Sequence, residues 1–457
     1  MHVLLARPPR RDLTDAGLPV PPLGLAYVAA ALLQAGHTVD LLDAYALGWD
    51  WGRFERALAA AKPGVLGLSA MTPVADVAAR AARLGRPHAG RVILGGPHPT
   101  AVRQAVFDEM PELDAAVVGE AEESAPALLA WWSSGAAGPP PPGVLVPGAP
   151  FVEADPPELS AIPRPARHLL PMGSYRYLFA TRPGFATMLT SRGCPFHCTF
   201  CDKGVSGSRW RARSPVEVVD ELEELEKRYQ VGFVNFYDDN FTLRRDRVVG
   251  ICEELLSRGL RIEWKCEGRV DGVDLPLLRL MRRAGCRTVA YGVESGNQAT
   301  LDLLRKDVTV AQAPAAFAAT RAAGLRSLAY IILGAPGEGT AEVQRTIDFC
   351  HSLGADYVQF SSLVPMPGTP LFQDARPALA AGPKNPVDSD LARRTATDLA
   401  PEALDRLLKS AWTGFYLRPA PLLRLGEDAV RSGSLVEGAR LCAAMGRWAW
   451  GGAAATT

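Results

Sequence analysis

The sequence is short of the features that mark a membrane, fibrous or polyanion-binding protein. No apolar run approaches the roughly 18 residues a membrane span needs; the longest, around Leu23 to Leu33, is Ala-rich and reads as a buried helix. Neither sign of charge is in excess, with 49 Lys and Arg against 49 Asp and Glu, which removes the bulk electrostatic pull on nucleic acid. Cysteine is scarce, at 8 in 457 residues, and unevenly spaced, which excludes a disulfide scaffold. The opening MHVLLARPPRR meets its charges too soon for a secretory signal. These absences point to a soluble cytoplasmic protein without membrane or nucleic-acid partners. What is plentiful is 43 Gly and 38 Pro, which implies many turns but carries no collagen period. The length suggests two to three domains.

Residues 1–137 alternate short apolar strands (2–6, 37–43, 64–69, 91–94 and 115–118) with helical patterns at 23–35, 54–61 and 74–84. Strands separated by helices make βαβ units and a parallel sheet. The fold class is therefore α/β, beginning with a doubly wound, Rossmann-like domain. Ligands of such sheets bind beyond the carboxyl ends of the strands. The candidate loops there hold Ser69, Met71 and Thr72, then Gly95, Gly96 and His98, then Gly119 and Glu120. Small residues let backbone approach a large flat ligand; ordinary βα turns have the same composition.

Residues 138–183 open on Gly138-Pro139-Pro140-Pro141-Pro142-Gly143 and form a Pro-rich linker, since proline at that density gives semi-rigid extended chain. From 184 to 373 the alternation resumes in longer units. Six strands are expected, at 187–190, 233–237, 261–265, 288–293, 328–333 and 357–363, giving a partial (β/α)6 barrel with its site at the strand carboxyl ends. Residues 374–457 are Ala-, Leu- and Arg-rich and make a small helical C-terminal domain.

Within this plan Cys194, Cys198 and Cys201 stand out as C-x3-C-x2-C on one short loop after a strand. Three thiolates so placed can hold three irons of a cubane and leave the fourth iron open to a bidentate small molecule, which four cysteines would not. A zinc site with His197 as fourth ligand is the alternative, but zinc sites normally use two separated pairs and no second pair follows. The remaining cysteines are too dispersed for a second cluster, and Cys252 falls in an apolar helix as core. Trp448 and Trp450 read as core rather than as a substrate platform.

The cysteine segment resembles the radical S-adenosylmethionine (SAM) enzymes, and the domain before it resembles their cobalamin-binding domain. Together, over roughly residues 1–372, they resemble the cobalamin-dependent radical SAM class. The resemblance implies that Cys194, Cys198 and Cys201 hold a catalytic [4Fe-4S] cluster whose open iron SAM chelates. It implies SAM contacts by Phe200 near the adenine, by Asp238, Asp239 and Asn240 at the amino group, and by Glu294 and Ser295 at the ribose. Gly334 and Glu338 match the stretch that contacts the adenine. Arg269 would face the SAM carboxylate, with a surface salt bridge as its alternative. The loops holding Ser69 to Thr72, Gly95 to His98 and Gly119 to Glu120 would contact cobalamin. The first strand runs into Arg7-Pro8-Pro9-Arg10-Arg11-Asp12, with none of the Asp-x-His-x-x-Gly pattern whose His ligates cobalt, so Met71 or Thr72 would lie beneath the metal.

The chemistry so implied is one-electron cleavage of SAM, hydrogen abstraction from an unactivated carbon of a small-molecule substrate by the 5′-deoxyadenosyl radical, and methyl transfer from methylcobalamin. The same cofactors also serve cyclisation, ring contraction or oxidation without methyl transfer. The partners implied are that substrate, from specialised metabolism, and an electron donor such as flavodoxin or ferredoxin.

Overall fold

Alternate residues of the first strand, β1 (His2–Arg7), enter two different cores. Val3 and Leu5 join one apolar cluster and Leu4 and Ala6 the other, as the two-residue period of a strand requires. A sheet buried on both faces is the signature of βαβ construction. The computed structural model that shows this describes residues 1–11, 18–374, 397–436, 438–440, 443 and 446; Cys442, Trp448 and Trp450 lie outside them. The chain forms two units: Met1–Asp15, Pro19–Tyr175 and Asp202–Arg211 make the first, and Ala16–Leu18, Arg176–Cys201 and Ala212–Thr457 the second.

In the first unit β1 is followed by α1 (Leu23–Gln34), β2 (Thr38–Asp43), α2 (Trp51–Ala61), β3 (Val65–Ser69), α3 (Ala75–Gly85), β4 (Arg91–Gly95), α4 (Pro97–Val102), α5 (Val106–Glu109), β5 (Ala115–Val117) and α6 (Ala121–Ser133). Local chemistry sets these limits: Asp50 caps α2 by accepting from Arg53 N at 2.7 Å, a common helix start. The sheet order β2-β1-β3-β4-β5 reverses direction at β1, the topological switch at which such sheets bind ligands. Inside the Pro-rich stretch, β6 (Val144–Leu145) adds a sixth strand, antiparallel to β5. Two residues flanked by proline and glycine carry too little periodicity to announce a strand. Further along that stretch, the buried Tyr175 hydroxyl donates to Asp43 Oδ2 at 2.9 Å.

The second unit runs β7 (Phe185–Met188), α7 (Pro215–Tyr229), β8 (Phe233–Phe236), α8 (Arg245–Arg258), β9 (Glu263–Gly268), α9 (Leu275–Arg283), β10 (Cys286–Glu294), α10 (Gln298–Leu303), α11 (Gln312–Ala322), β11 (Arg326–Leu333), α12 (Thr340–Ser352) and β12 (Tyr357–Ser362). The six strands of its main sheet pair in sequence order and all in parallel, which makes the expected half-barrel. Ser214 and Glu217 form a reciprocal capping box at the start of α7, with Pro215 in its first turn. Phe236, Phe241 and Trp264 pack together inside, with centroids 4.9–5.5 Å apart. Helices α13 (Pro401–Tyr416) and α14 (Pro419–Ser432) follow, and the Tyr416 hydroxyl donates to Val358 O of β12 at 2.7 Å. No helix among the described residues is long and apolar enough to cross a membrane.

Candidate active site

The cysteine loop lies between the end of β7 and the start of α7, and both ends of its cysteine run are tied down. At its entry Asp238, just past β8, accepts from Thr190 N at 2.6 Å and from Ser191 Oγ at 2.6 Å, while Asp239 accepts from Gly193 N at 3.0 Å. Gly193 has φ of 84°, a conformation open to glycine and costly for other residues. At the far side Thr199 N donates to Leu304 O at 3.0 Å, and Phe200 packs against a core cluster of Leu304, Ala335, Leu363 and Leu371. Cys194, Cys198 and Cys201 are half-buried and joined in no disulfide. Burial pushes the Cys198 thiol up, against the opposing pull of Lys306 and Arg269.

Among the described residues no three His, Cys, Asp or Glu side chains gather closely enough to hold one ion, as the zinc alternative with His197 requires. A cubane spreads its thiolates over three separate irons, so three half-buried thiols on one braced loop fit it.

At the carboxyl ends of β8 to β11 lies a cavity of about 310 Å³, lined by Tyr237, Asp238, Asp239, Glu267, Gly268, Arg269, Gly292, Glu294, Lys306 and Tyr330. Its side chains set up opposed charges. Lys306 Nζ is 2.7 Å from Glu294 Oε1; burial works against the ammonium, but Glu294 outweighs it and holds the Lys306 pKa above its ordinary value. A Cβ at Gly292 would collide with both groups. Arg269 is buried rather than on the surface: it donates to Lys306 O and Asp307 O at 2.7 and 3.0 Å, pairs with Asp271 at 2.9 Å, and lies 3.8 Å over the Phe196 ring of the cysteine loop. Behind the cavity Lys265, wholly buried, contacts Glu267 Oε1 at 2.5 Å, and Tyr330 donates to the same oxygen at 3.1 Å. Carboxylates, cations and a glycine gap suit a zwitterionic ligand bearing hydroxyls, the chemistry of SAM.

Of the residues the resemblance assigns to SAM, the structure brings Asp238, Asp239, Arg269 and Glu294 to this cavity. It does not bring Ser295, Gly334, Glu338, Asn240 or Phe200 to the lining. Glu338 accepts from Gly334 N and Ala335 N at 3.0 and 2.9 Å and from Thr300 Oγ1 at 2.9 Å, and Ser295 Oγ lies 3.1 Å from Thr346 Oγ1; that network is interior. Asn240 accepts from Thr242 at 3.2 Å. Lys306, Glu267, Tyr330 and Lys265 were not singled out by the sequence. The available signal was Glu263-Trp264-Lys265-Cys266-Glu267, where three charges recur at the strand period on an otherwise apolar barrel strand.

In the first unit the loops after β3 and β4 are stitched together. Ala70 N donates to Gly95 O at 3.0 Å and His98 N to Ala70 O at 2.9 Å. Gly96 has φ of 97°, and a Cβ there would stand 2.7 Å from Ser69 Oγ. His98 is buried, with Nε2 2.7 Å from Glu109 and Nδ1 3.3 Å from Thr72. Gly119 N donates to Thr100 Oγ1 at 3.0 Å. Glu120 is buried in a bidentate pair with Arg211. Ser69 and Met71 are exposed, Met71 at 59%, and Gly95 faces open space. A strand-end face with little side-chain bulk fits a corrin.

A parallel sheet with an open strand-end face, and a half-barrel with a three-cysteine loop above a charged cavity, define a corrin-binding radical enzyme. The comparisons agree. The B12 binding domain model matches residues 11–129 and the Radical SAM superfamily model residues 188–350. An uncharacterized methyltransferase of Pyrococcus horikoshii is 31% identical over 93% of this chain and 94% of its own. The anaerobic magnesium-protoporphyrin IX monomethyl ester cyclase of Cereibacter sphaeroides is 30% identical over 78% of this chain and 60% of its own. The solved structure of the cobalamin-dependent SAM radical enzyme OxsB with aqua-cobalamin and SAM bound covers 96% of this chain and 71% of its own, with TM-score 0.75 and 17% identity. The chain belongs to the cobalamin-dependent radical SAM enzymes, whose cofactors are a [4Fe-4S] cluster, SAM and cobalamin.

Proposed function

We propose that this enzyme is a C-methyltransferase acting on an unactivated carbon of a small molecule. The observation that carries the reading is the likeness to a methyltransferase-named relative along almost the whole of both chains. Cys194, Cys198 and Cys201 hold the cluster. Glu294, Lys306, Arg269 and Asp239 hold SAM in the charged cavity, their opposite charges matching its ammonium, carboxylate and ribose hydroxyls. The exposed Ser69, Met71 and Gly95 receive the corrin. When bound, the cluster and SAM supply hydrogen-atom abstraction and cobalamin supplies a methyl group; the protein's share is to position and to keep water out. Phe196 beneath Arg269 and Phe200 in its apolar cluster exclude water from the cysteine loop. Glu267, backed by Lys265 and Tyr330, offers a fixed carboxylate to a polar group in the cavity. The electron comes from a flavodoxin- or ferredoxin-type donor.

The test is product mass from anaerobically reconstituted enzyme, using candidate metabolites drawn from the genes beside its own. A gain of one methylene unit together with deoxyadenosine is the expected result. Deoxyadenosine with a cyclised, contracted or oxidised product lacking the added carbon overturns methyl transfer.

A further inference from the structure

By resemblance, the acidic pair Asp238–Asp239 serves the amino group of SAM. The hydrogen bonds divide the pair. We infer that Asp238, backed by Arg247, is a positioning residue that sets where the cysteine loop begins and thereby where its three thiolates stand. The inference rests on the reading that those thiolates hold the cluster.

Asp238 touches the edge of the cavity, yet its side chain is fully buried and both oxygens are occupied. Oδ1 accepts from Thr190 N at 2.6 Å, and Oδ2 accepts from Thr190 Oγ1 at 2.5 Å and Ser191 Oγ at 2.6 Å. A carboxylate offers about four lone-pair sites, so three bonds leave little for an ammonium ion. Arg247 takes the opposite side of the same residue: Nη2 donates to Thr190 O at 2.8 Å, and Nε donates to Arg213 O at 3.1 Å. Arg213 N in turn donates to Thr190 O at 3.0 Å. Thr190 is thus held by its amide, its hydroxyl and its carbonyl, four residues ahead of Cys194. Arg247 Nη1 stands 4.0 Å from Asp238 Oδ2, so each buried charge offsets the other.

Burying a carboxylate and a guanidinium gives little net stability. It does give a fixed point, and the loop needs one, because beyond Ser191–Arg192 it carries no regular structure through Cys201. A ligand set has to be held to within about half an ångström by its supports. Asp239 also accepts one loop bond, from Gly193 N at 3.0 Å, but it is exposed at the cavity and is the member of the pair placed to meet SAM.

The test uses the full chain reconstituted anaerobically with iron, sulfide and cobalamin, in wild type, Asp238→Asn, Arg247→Gln, Thr190→Val and Ser191→Ala. Two quantities are read: bound iron and sulfide, and the SAM concentration that half-shifts the EPR spectrum of the reduced cluster. Asp238→Asn and Arg247→Gln are expected to weaken cluster retention about tenfold, as loss of supporting partners does at metal sites, while whatever cluster remains responds to SAM at the wild-type concentration. Thr190→Val and Ser191→Ala, which only remove a hydroxyl, are expected to shift retention in the same direction by less. Full cluster loading in Asp238→Asn overturns the inference, whether SAM affinity then falls, as a direct SAM contact predicts, or stays unchanged. Should either charge variant misfold, full loading in both hydroxyl variants overturns it. A wild type that loads no iron–sulfur cluster overturns the cluster reading itself, a different failure.

Discussion

At the scale of single residues, the same chemistry serves different ends according to what lies beside it. Cys198→Ala is expected to abolish iron loading and turnover while leaving cobalamin bound, checked by iron assay and by the visible absorbance of the corrin. Glu338 lies in the stretch that the resemblance places at the SAM adenine, and its carboxylate accepts from two backbone amides and a threonine. Glu338→Ala leaves those buried donors without acceptors and is expected to cost about 3 kcal/mol of stability, read from urea denaturation. The cysteines were legible because their spacing on one loop has few other uses. The hydrogen-bond partners of Asp238 and Glu338 were not, since a carboxylate after a strand looks the same in sequence whether it meets a ligand or a backbone amide. Lys265 and Glu267 were written in the strand period, yet only the parallel barrel shows that Glu267 lines a cavity with Lys265 buried behind it.

At the scale of elements, the alternation of apolar strands and helices fixed nearly every strand of both sheets to within a few residues, because both faces of a parallel sheet demand apolar side chains. The edge strand β6 escaped because two residues hold no period, and α10 because six residues make less than two turns. Strands β4 and β5 are joined by more than their ladder. Asp114, just before β5, accepts from Val92 N at 2.7 Å and pairs with Arg86 and Arg91 at 2.5 and 2.9 Å. Partial burial works to raise its carboxyl, but these partners outweigh it and hold the pKa below its ordinary 3.8. A depressed carboxylate adds stability above its unfolded pKa and loses it as pH falls through the folded one. Asp114→Asn is therefore expected to cost about 1–2 kcal/mol at neutral pH and nothing below the folded pKa, measured by denaturation at a series of pH values.

At the scale of the whole molecule, two parallel-sheet units bring cobalamin chemistry and radical chemistry into one chain. Cobalamin at a hundred times its dissociation constant is expected to stabilise the fold by about 2.7 kcal/mol, read by scanning calorimetry, with the same shift in Cys198→Ala because the corrin does not depend on the iron. The Glu120–Arg211 pair gives a further expectation. Glu120→Ala strands a buried guanidinium and costs about 3–5 kcal/mol, whereas Glu120→Leu with Arg211→Met recovers most of it, again read by denaturation. Residues 202–211 belong to the first unit although the chain reaches them only after Cys201. A gene carrying a stop codon after Tyr175 would consequently encode an incomplete product, with Glu120 deprived of its guanidinium. Recombination that shuffles these modules between genes as simple beads would fail at the same point, since the decapeptide must travel with the half that precedes it.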